Sequence, residues 1–231
     1  MKRLFRWLKW ALLGVIGLFV IYQFWLCGWV LFWKWVNPDM TSFMEIRLAE
    51  LRLKDGKAQL RKQWLPYSRI SPNLKRALIA AEDGKFLEHD GFDWEGIQVA
   101  MGKNEKKGRF VAGGSTISQQ LAKNLFLSPT RSLWRKGEEA AITVMIETLW
   151  DKERIFEVYL NVIEWGNGVF GAEAAARHYY GIGAGQLGAE QAARLAAMVP
   201  APRYYDRNRN SAGLAKKTAT LLARMPGAEI P

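Results

Sequence analysis

Ser132-Leu133-Trp134-Arg135-Lys136-Gly137-Glu138-Glu139-Ala140-Ala141-Ile142-Thr143-Val144-Met145-Ile146-Glu147-Thr148-Leu149-Trp150 decides the fold class. The run holds no proline, and Ala140, Ala141, Ile142, Val144, Met145, Ile146 and Leu149 make its middle apolar on most faces. Such a segment is expected to be a long helix buried at a domain's centre. Further helical patterns lie on both sides of it. Thr41 to Leu53 suits a short amphipathic helix, and Ser71-Pro72 gives a hydroxyl cap and an N1 proline to a helix from Asn73 to about Asp83. Trp94 to Lys103, Ser115 to Leu127, Lys152 to Asn161, Phe170 to Tyr180, Gly188 to Val199 and Ser211 to Met225 read the same way, joined by short Gly/Pro loops.

Period-two patterns are nearly absent; only Gln63-Trp64-Leu65-Pro66-Tyr67 reads as a small extended piece. Lys103-Asn104-Glu105-Lys106-Lys107-Gly108-Arg109 is polar and basic, and it reads as a mobile loop or lid. The fold class expected for the soluble part is therefore all-α, or mainly so, in one domain.

The N-terminus is of another kind. Met1-Lys2-Arg3-Leu4-Phe5-Arg6-Trp7-Leu8-Lys9-Trp10 is followed by 23 residues without a charge, Ala11 to Trp33. As a helix these reach about 35 Å, enough for a hydrocarbon core with some tilt. Trp7, Trp10, Trp29, Trp33 and Trp35 gather at the two ends, as interfacial aromatics do. A cleavable signal peptide would have a shorter apolar run and a small-residue cleavage site, so a retained anchor is the reading. Four basic residues precede the span and only Lys34 follows it closely, which places the N-terminus in the cytoplasm. The expected division is a basic cytoplasmic tail over 1–10, an anchor over 11–35, a connection over 36–59 and a globular domain over 60–231.

With 33 Lys+Arg against 22 Asp+Glu the chain carries a net charge of +11. That excess suits nucleic acid, anionic lipid or a phosphorylated substrate, and charge alone does not choose among them. The single cysteine, Cys27, lies in the apolar run, so one chain forms no disulfide; with only His89 and His178 besides, a His/Cys zinc site is not expected.

Chemistry concentrates in three places. Glu82 and Asp83 close an apolar helix, where the dipole and partial burial both disfavour a negative charge; a base poised near neutrality is one result, an ordinary solvated helix end the other. Phe86, His89 and Gly91 follow at fixed offsets. Gly113-Gly114-Ser115-Thr116 then opens a helix carrying Gln119 and Gln120, which supplies free N–H groups, hydroxyls and amides suited either to an anion or to plain capping. On the long helix, Lys136 and Glu139 share a face beside Arg135, and Lys123 and Arg131 add positive charge nearby.

Taken in order, these segments resemble the peptidoglycan glycosyltransferases that polymerise lipid II. Glu82-Asp83-x-x-Phe86-x-x-His89-x-Gly91 is similar to the family's first motif, Gly114-x-Thr116-x-x-Gln119-Gln120 to its second and Arg135-Lys136-x-x-Glu139 to its third. Ile155-x-x-x-Tyr159-Leu160-Asn161 is similar to the fourth, with Phe156 where leucine is common, and Gly168 to Gly181 to the fifth. The resemblance spans roughly residues 60 to 205 and implies a lysozyme-like α-helical domain.

It implies roles too. Glu82 would be the general base on the acceptor's 4-hydroxyl. The α-linked donor would become a β-1,4 product by inversion, with undecaprenyl pyrophosphate leaving. Lys123, Arg131, Arg135 and Lys136 would meet the pyrophosphate, and Glu139 would be the second carboxylate. Asp83, Phe86, His89, Gly114, Ser115, Thr116, Gln119, Gln120 and Asn161 would hold the site and the substrate. A divalent cation, Mg or Mn, on the pyrophosphate is compatible with this, though no protein ligand set for it can be read. The partners implied are lipid II, the growing lipid-linked glycan and inner-membrane lipid, with other cell-wall or division proteins left open and no nucleic acid. The place implied is the bacterial inner membrane, single-pass, with the domain outside. The chain ends at Pro231, so no transpeptidase domain is expected. A lysozyme-like hydrolase would use a glutamate as an acid on finished glycan, yet it has no need of the cations around the Gly-Ser-Thr turn. A non-enzymatic anchor would need neither Glu82 nor Glu139.

Overall fold

The computed structural model describes residues 2–109, 113–130 and 132–231. It divides into two compact units, Met1–Asn37 and Pro38–Pro231. The first is the helix α1, Lys2–Trp33. Its stretch Arg3–Trp33 is long and apolar enough to cross a membrane. Towards its C-terminal end Trp25, Trp29 and Trp33 pack against one another.

The second unit is helical, with one small sheet. Its helices are α2 (Ser42–Arg52), α3 (Pro72–Glu82), α4 (Trp94–Lys107), α5 (Ile117–Phe126), α6 (Leu133–Leu149) and α7 (Lys152–Val162), followed by α8 (Ala172–Tyr180), α9 (Ala189–Met198), α10 (Pro202–Arg207) and α11 (Ala212–Arg224). Most begin where the sequence supplies an oxygen for a free N–H. Thr41, Ser71, Ser132, Asp151 and Ser211 each accept from a backbone amide two or three residues on. Pro72 stands at the N1 position of α3.

Three short strands form the sheet in the order β1-β3-β2: β1 Arg61–Lys62, β2 Glu164–Gly166 and β3 Val169–Phe170. β1 runs parallel to β3, pairing Arg61 with Val169, and β2 runs antiparallel to it, pairing Glu164 with Phe170. The extended piece expected at Gln63–Tyr67 is thus displaced: the strand is Arg61–Lys62, and a 3₁₀ turn occupies Tyr67–Arg69. Phe170, read as the start of a helix, belongs to β3, and Gly171 precedes α8.

Two other expectations are corrected. Lys103–Lys107 is not a loop: it completes α4, which ends on Gly108 at φ +59. Lys106 and Lys107 sit in the last turn, where cations favour the helix dipole, and a left-handed glycine is a normal stop. Nor is α6 the buried centre. It buries one stripe, Glu139, Ile142, Thr143 and Ile146, while Leu133, Trp134 and Val144 stand exposed. The core helix is α7, with every residue but one from Ile155 to Val162 buried.

The helices of the unit pack in two groups. α5 packs on α6, α7 and α2, and α3 packs on α9 and α11. The C-terminal end of α3 and the N-terminal end of α5 meet, and that junction carries the site.

Candidate active site

Asp83, the C-cap of α3, makes the junction. Its Oδ2 accepts from the backbone N–H of Ile117, the first residue of α5, at 3.0 Å. Its Oδ1 lies 2.9 Å from His89 Nε2. The N–H of Gly91 donates to His89 Nδ1 at 3.2 Å, so the Nε2 atom carries the proton towards Asp83. The loop between α3 and α4 is pinned at further points. Thr116 Oγ1 donates to the Gly91 carbonyl at 2.7 Å, and Lys152 Nζ to the His89 carbonyl at 2.6 Å. Phe86 is buried against Phe156. Gly91 has φ +88, and a Cβ there would come 2.7 Å from Thr143 Cγ2. Gly114 has a related reason to lack a side chain: a Cβ would sit 3.0 Å from the backbone of Ile97 in α4. Thr116 and Gln119 form a reciprocal capping box at the start of α5. Phe86, His89 and Gln119 therefore lie beneath the site, while Asp83 and Thr116, though held in these bonds, also line the small cavity beside Glu82.

Glu82, one residue before Asp83, points the other way and stays partly exposed. Its Oε2 accepts from Gln120 Nε2 at 2.8 Å. Burial pushes its carboxyl above the ordinary range; the Gln120 amide and the positive charges of Lys123 and Lys217 act against that, and Asp83 adds to it. On one side of Glu82 lies a small cavity of about 160 Å³, lined by Glu82, Asp93, Gly96, Gly114 and Ser115 among others. A second cleft of about 570 Å³ is lined by Ser115, Gln120, Lys123, Leu133, Arg135, Lys136 and Glu139 among others, and Glu82 is tied to it through its bond to Gln120. Ser115 borders both.

The larger cleft is cationic. Glu139 is buried on α6 and takes Arg135 Nη1 on one oxygen at 2.7 Å and Lys136 Nζ on the other. One carboxylate thus serves two cations. Arg135 Nε is itself buried without a hydrogen-bond partner among the described residues. Burial holds the half-buried Lys123 below the usual lysine range; the carboxylates of Glu139 and Glu82 raise it, and Arg135 and Lys136 lower it further. A desolvated lysine beside two other cations is arranged to receive an anion.

Glu82, Gly114, Ser115, Gln120, Lys123, Arg135, Lys136 and Glu139 are thus brought together. Asn161 is not among them: it is buried on α7 and exchanges two hydrogen bonds with the backbone of Leu65. Arg131 lies outside the described residues. Two neighbours escaped the sequence reading as site residues. Asp93, the N-cap of α4, faces the small cavity, and its only sequence signal is an acidic residue just before a helix. Tyr159, which reads as a packing residue, donates from its hydroxyl to Gln120 Oε1 at 3.1 Å.

The transglycosylase family model matches residues 49–226. A biosynthetic peptidoglycan transglycosylase of Dechloromonas aromatica (strain RCB) is 73% identical over the full length of both chains. Proteins of the same name from Laribacter hongkongensis (strain HLHK9) and Nitrosospira multiformis are each 60% identical, over 97% and 98% of this chain and 100% and 98% of their own. The lysozyme-like helical domain, the apolar N-terminal helix suited to single-pass anchoring and this match across most of the sequence agree, and the chain belongs to the transglycosylase family, the glycosyltransferases of peptidoglycan synthesis.

Proposed function

We propose that the chain polymerises lipid II into β-1,4 glycan strands, with Glu82 as the general base and undecaprenyl pyrophosphate as the leaving group. The observation that carries this reading is that Glu82 lines a small polar cavity and is hydrogen-bonded to Gln120, which lines the adjoining cation-lined cleft. An inverting displacement needs both at once. A base must take the acceptor's 4-hydroxyl proton on one face of the donor sugar, and positive charge must meet the departing pyrophosphate on the other. A base with a raised pKa is matched to a neutral hydroxyl, and Lys123, Arg135 and Lys136 supply the charge. Glu139 holds two of those cations in place. Arg131, next to this helix in sequence, would add to the set.

A divalent cation, Mg or Mn, enters this scheme only as a counter-ion of the pyrophosphate; the described residues include no cluster of three or more His, Cys, Asp or Glu to hold it. The substrate is a membrane lipid, and residues 11–35 would cross the inner membrane with 1–10 in the cytoplasm and the domain outside. Exposed Leu87, Trp94, Val99, Met101, Leu133 and Trp134 offer an apolar surface on the same loop and helices that bear the site, suited to a lipid-linked substrate at the bilayer.

The test is polymerisation of labelled lipid II in detergent by wild type and Glu82→Gln, with glycan length read on a gel. Polymer from wild type and none from folded Glu82→Gln is the expected result. Release of fragments from finished peptidoglycan by wild type, without polymer, would overturn the transferase in favour of a hydrolase.

A further inference from the structure

Among the described residues, the only side-chain hydrogen bond to Glu82 comes from Gln120, at 2.8 Å. The opposite end of that amide is also held. The Tyr159 hydroxyl donates to Gln120 Oε1 at 3.1 Å, from the middle of the core helix α7. Tyr159 is fully buried and does not line the cleft, so its route to the chemistry runs through Gln120.

An amide is nearly symmetric in shape and opposite in chemistry at its two ends. An ionised carboxylate can only accept hydrogen bonds, so it is stabilised by the NH₂ end and repelled by the carbonyl end. A protonated carboxyl tolerates either, because its O–H can donate to the carbonyl. A glutamine free to rotate would therefore follow the protonation of Glu82 and hold it less firmly as an anion. With its carbonyl engaged by the phenol's O–H, Gln120 favours the orientation that turns its NH₂ towards Glu82.

We propose that Tyr159 is a positioning residue for the base: it fixes the Gln120 amide so that its NH₂ group favours ionised Glu82. The proposal rests on Glu82 being the base. It deepens that reading by giving the fourth motif a role in proton transfer, where packing alone would otherwise account for the tyrosine. The phenol's burial, with the charges of Glu82 and Asp83 behind it, pushes it well above the ordinary tyrosine range, so it remains a donor throughout the working pH. The other charged groups acting on Glu82 are Asp83 at the end of α3, Lys123 on α5 and Lys217 on α11, and the Tyr159→Phe substitution touches none of them.

The experiment uses the full chain in detergent, with glutamate carboxyls labelled by carbon-13 and the Glu82 resonance assigned by its loss in Glu82→Gln. Tyr159→Phe keeps the ring and removes only the donor. Its Glu82 titration is expected to move up by about one pH unit, the size of a hydrogen bond to a charged group. The acid limb of polymerisation is expected to move with it. Gln120→Ala is expected to give a similar shift, and adding Tyr159→Phe to it no further shift. A Glu82 titration unmoved by Tyr159→Phe would overturn the proposal. So would a shift of equal size on the Gln120→Ala background, which would mean that Tyr159 acts through general packing. If Glu82→Gln still polymerises, the base assignment fails by itself, and the resonance still decides whether Tyr159 sets the carboxyl.

Discussion

Ionised Glu82 carries a cost in stability. Its carboxyl is pushed up on folding, chiefly by burial. The unfolded chain therefore releases this proton at lower pH than the folded one does. Stability is lost as pH rises from the unfolded carboxyl's range through the folded one, and the loss is complete above both. Glu82→Gln keeps the shape and an oxygen for Gln120 while removing the charge. Thermal melts should show the variant about 2–4 °C more stable than wild type at pH 8 and nearly equal to it near pH 4. A variant less stable at pH 8 would mean that Lys123 and Lys217 outweigh the burial. Glu139 should behave in the opposite way. It pairs with Arg135 and Lys136 from a buried position, so Glu139→Ala leaves those cations facing Lys123 without the carboxylate that holds them. A loss of about 3 kcal/mol in denaturant unfolding is expected, together with loss of polymerisation. The two carboxylates are distinguishable by this contrast, since one, the proposed base, opposes folding when ionised and the other is an ion-pair hub that supports it.

At the scale of elements the site is a joint between α3 and α5, and Asp83 and the Gly91 turn hold it closed. Gly91→Ala would place a methyl 2.7 Å from Thr143 Cγ2 on a backbone at φ +88. It should cost about 2–3 kcal/mol and, by releasing the Thr116 contact to the Gly91 carbonyl, reduce activity more than binding of the anion by the cationic cleft. Equilibrium unfolding and polymerisation rates, set beside pyrophosphate binding by calorimetry, separate these effects. The motifs at this joint were legible because each combines a rare residue type with a fixed offset: a carboxylate pair, a glycine turn, an Arg-Lys-x-x-Glu step. Most helix starts were legible too, since their caps are written as Ser, Thr or Asp. What failed was burial. Ala140, Ala141, Val144 and Met145 are as apolar as core residues, and nothing local says that α6 exposes Val144 while α7, studded with charges at its start, is the centre. The end of α4 was misread for the reverse reason. Its last turns carry no apolar face to give periodicity, and the usable signal was Lys106-Lys107 followed by Gly108. The sheet escaped because strands of two or three residues are too short for a period-two pattern to register, and their partners are set by tertiary contact. Tyr159 escaped because its hydroxyl has one partner, Gln120, that only the fold supplies.

For the whole molecule, the charge distribution and the substrate must agree about sides. Of the net +11, five positive charges and no negative ones lie in residues 1–37, leaving +6 on residues 38–231. Four of those five, Lys2, Arg3, Arg6 and Lys9, precede the apolar run, and Lys34 follows it. Basic residues in a short flank are retained on the cytoplasmic side, so the helix should insert with its C-terminal end outside. A C-terminal alkaline phosphatase fusion, active only when exported, should then be active, and a fusion to a fluorescent protein that folds only in the cytoplasm should be dark. Neutralising Lys2, Arg3, Arg6 and Lys9 while adding lysines after Trp35 should reduce the first signal and raise the second. This outcome bears on the chemistry as well as on topology. The cationic cleft and Glu82 can act on a lipid-linked sugar only if both are on the same face of the membrane. A chain with the opposite topology would have its base and its pyrophosphate site on the side where finished glycan never forms, and the polymerase reading would fall however well the cleft is built.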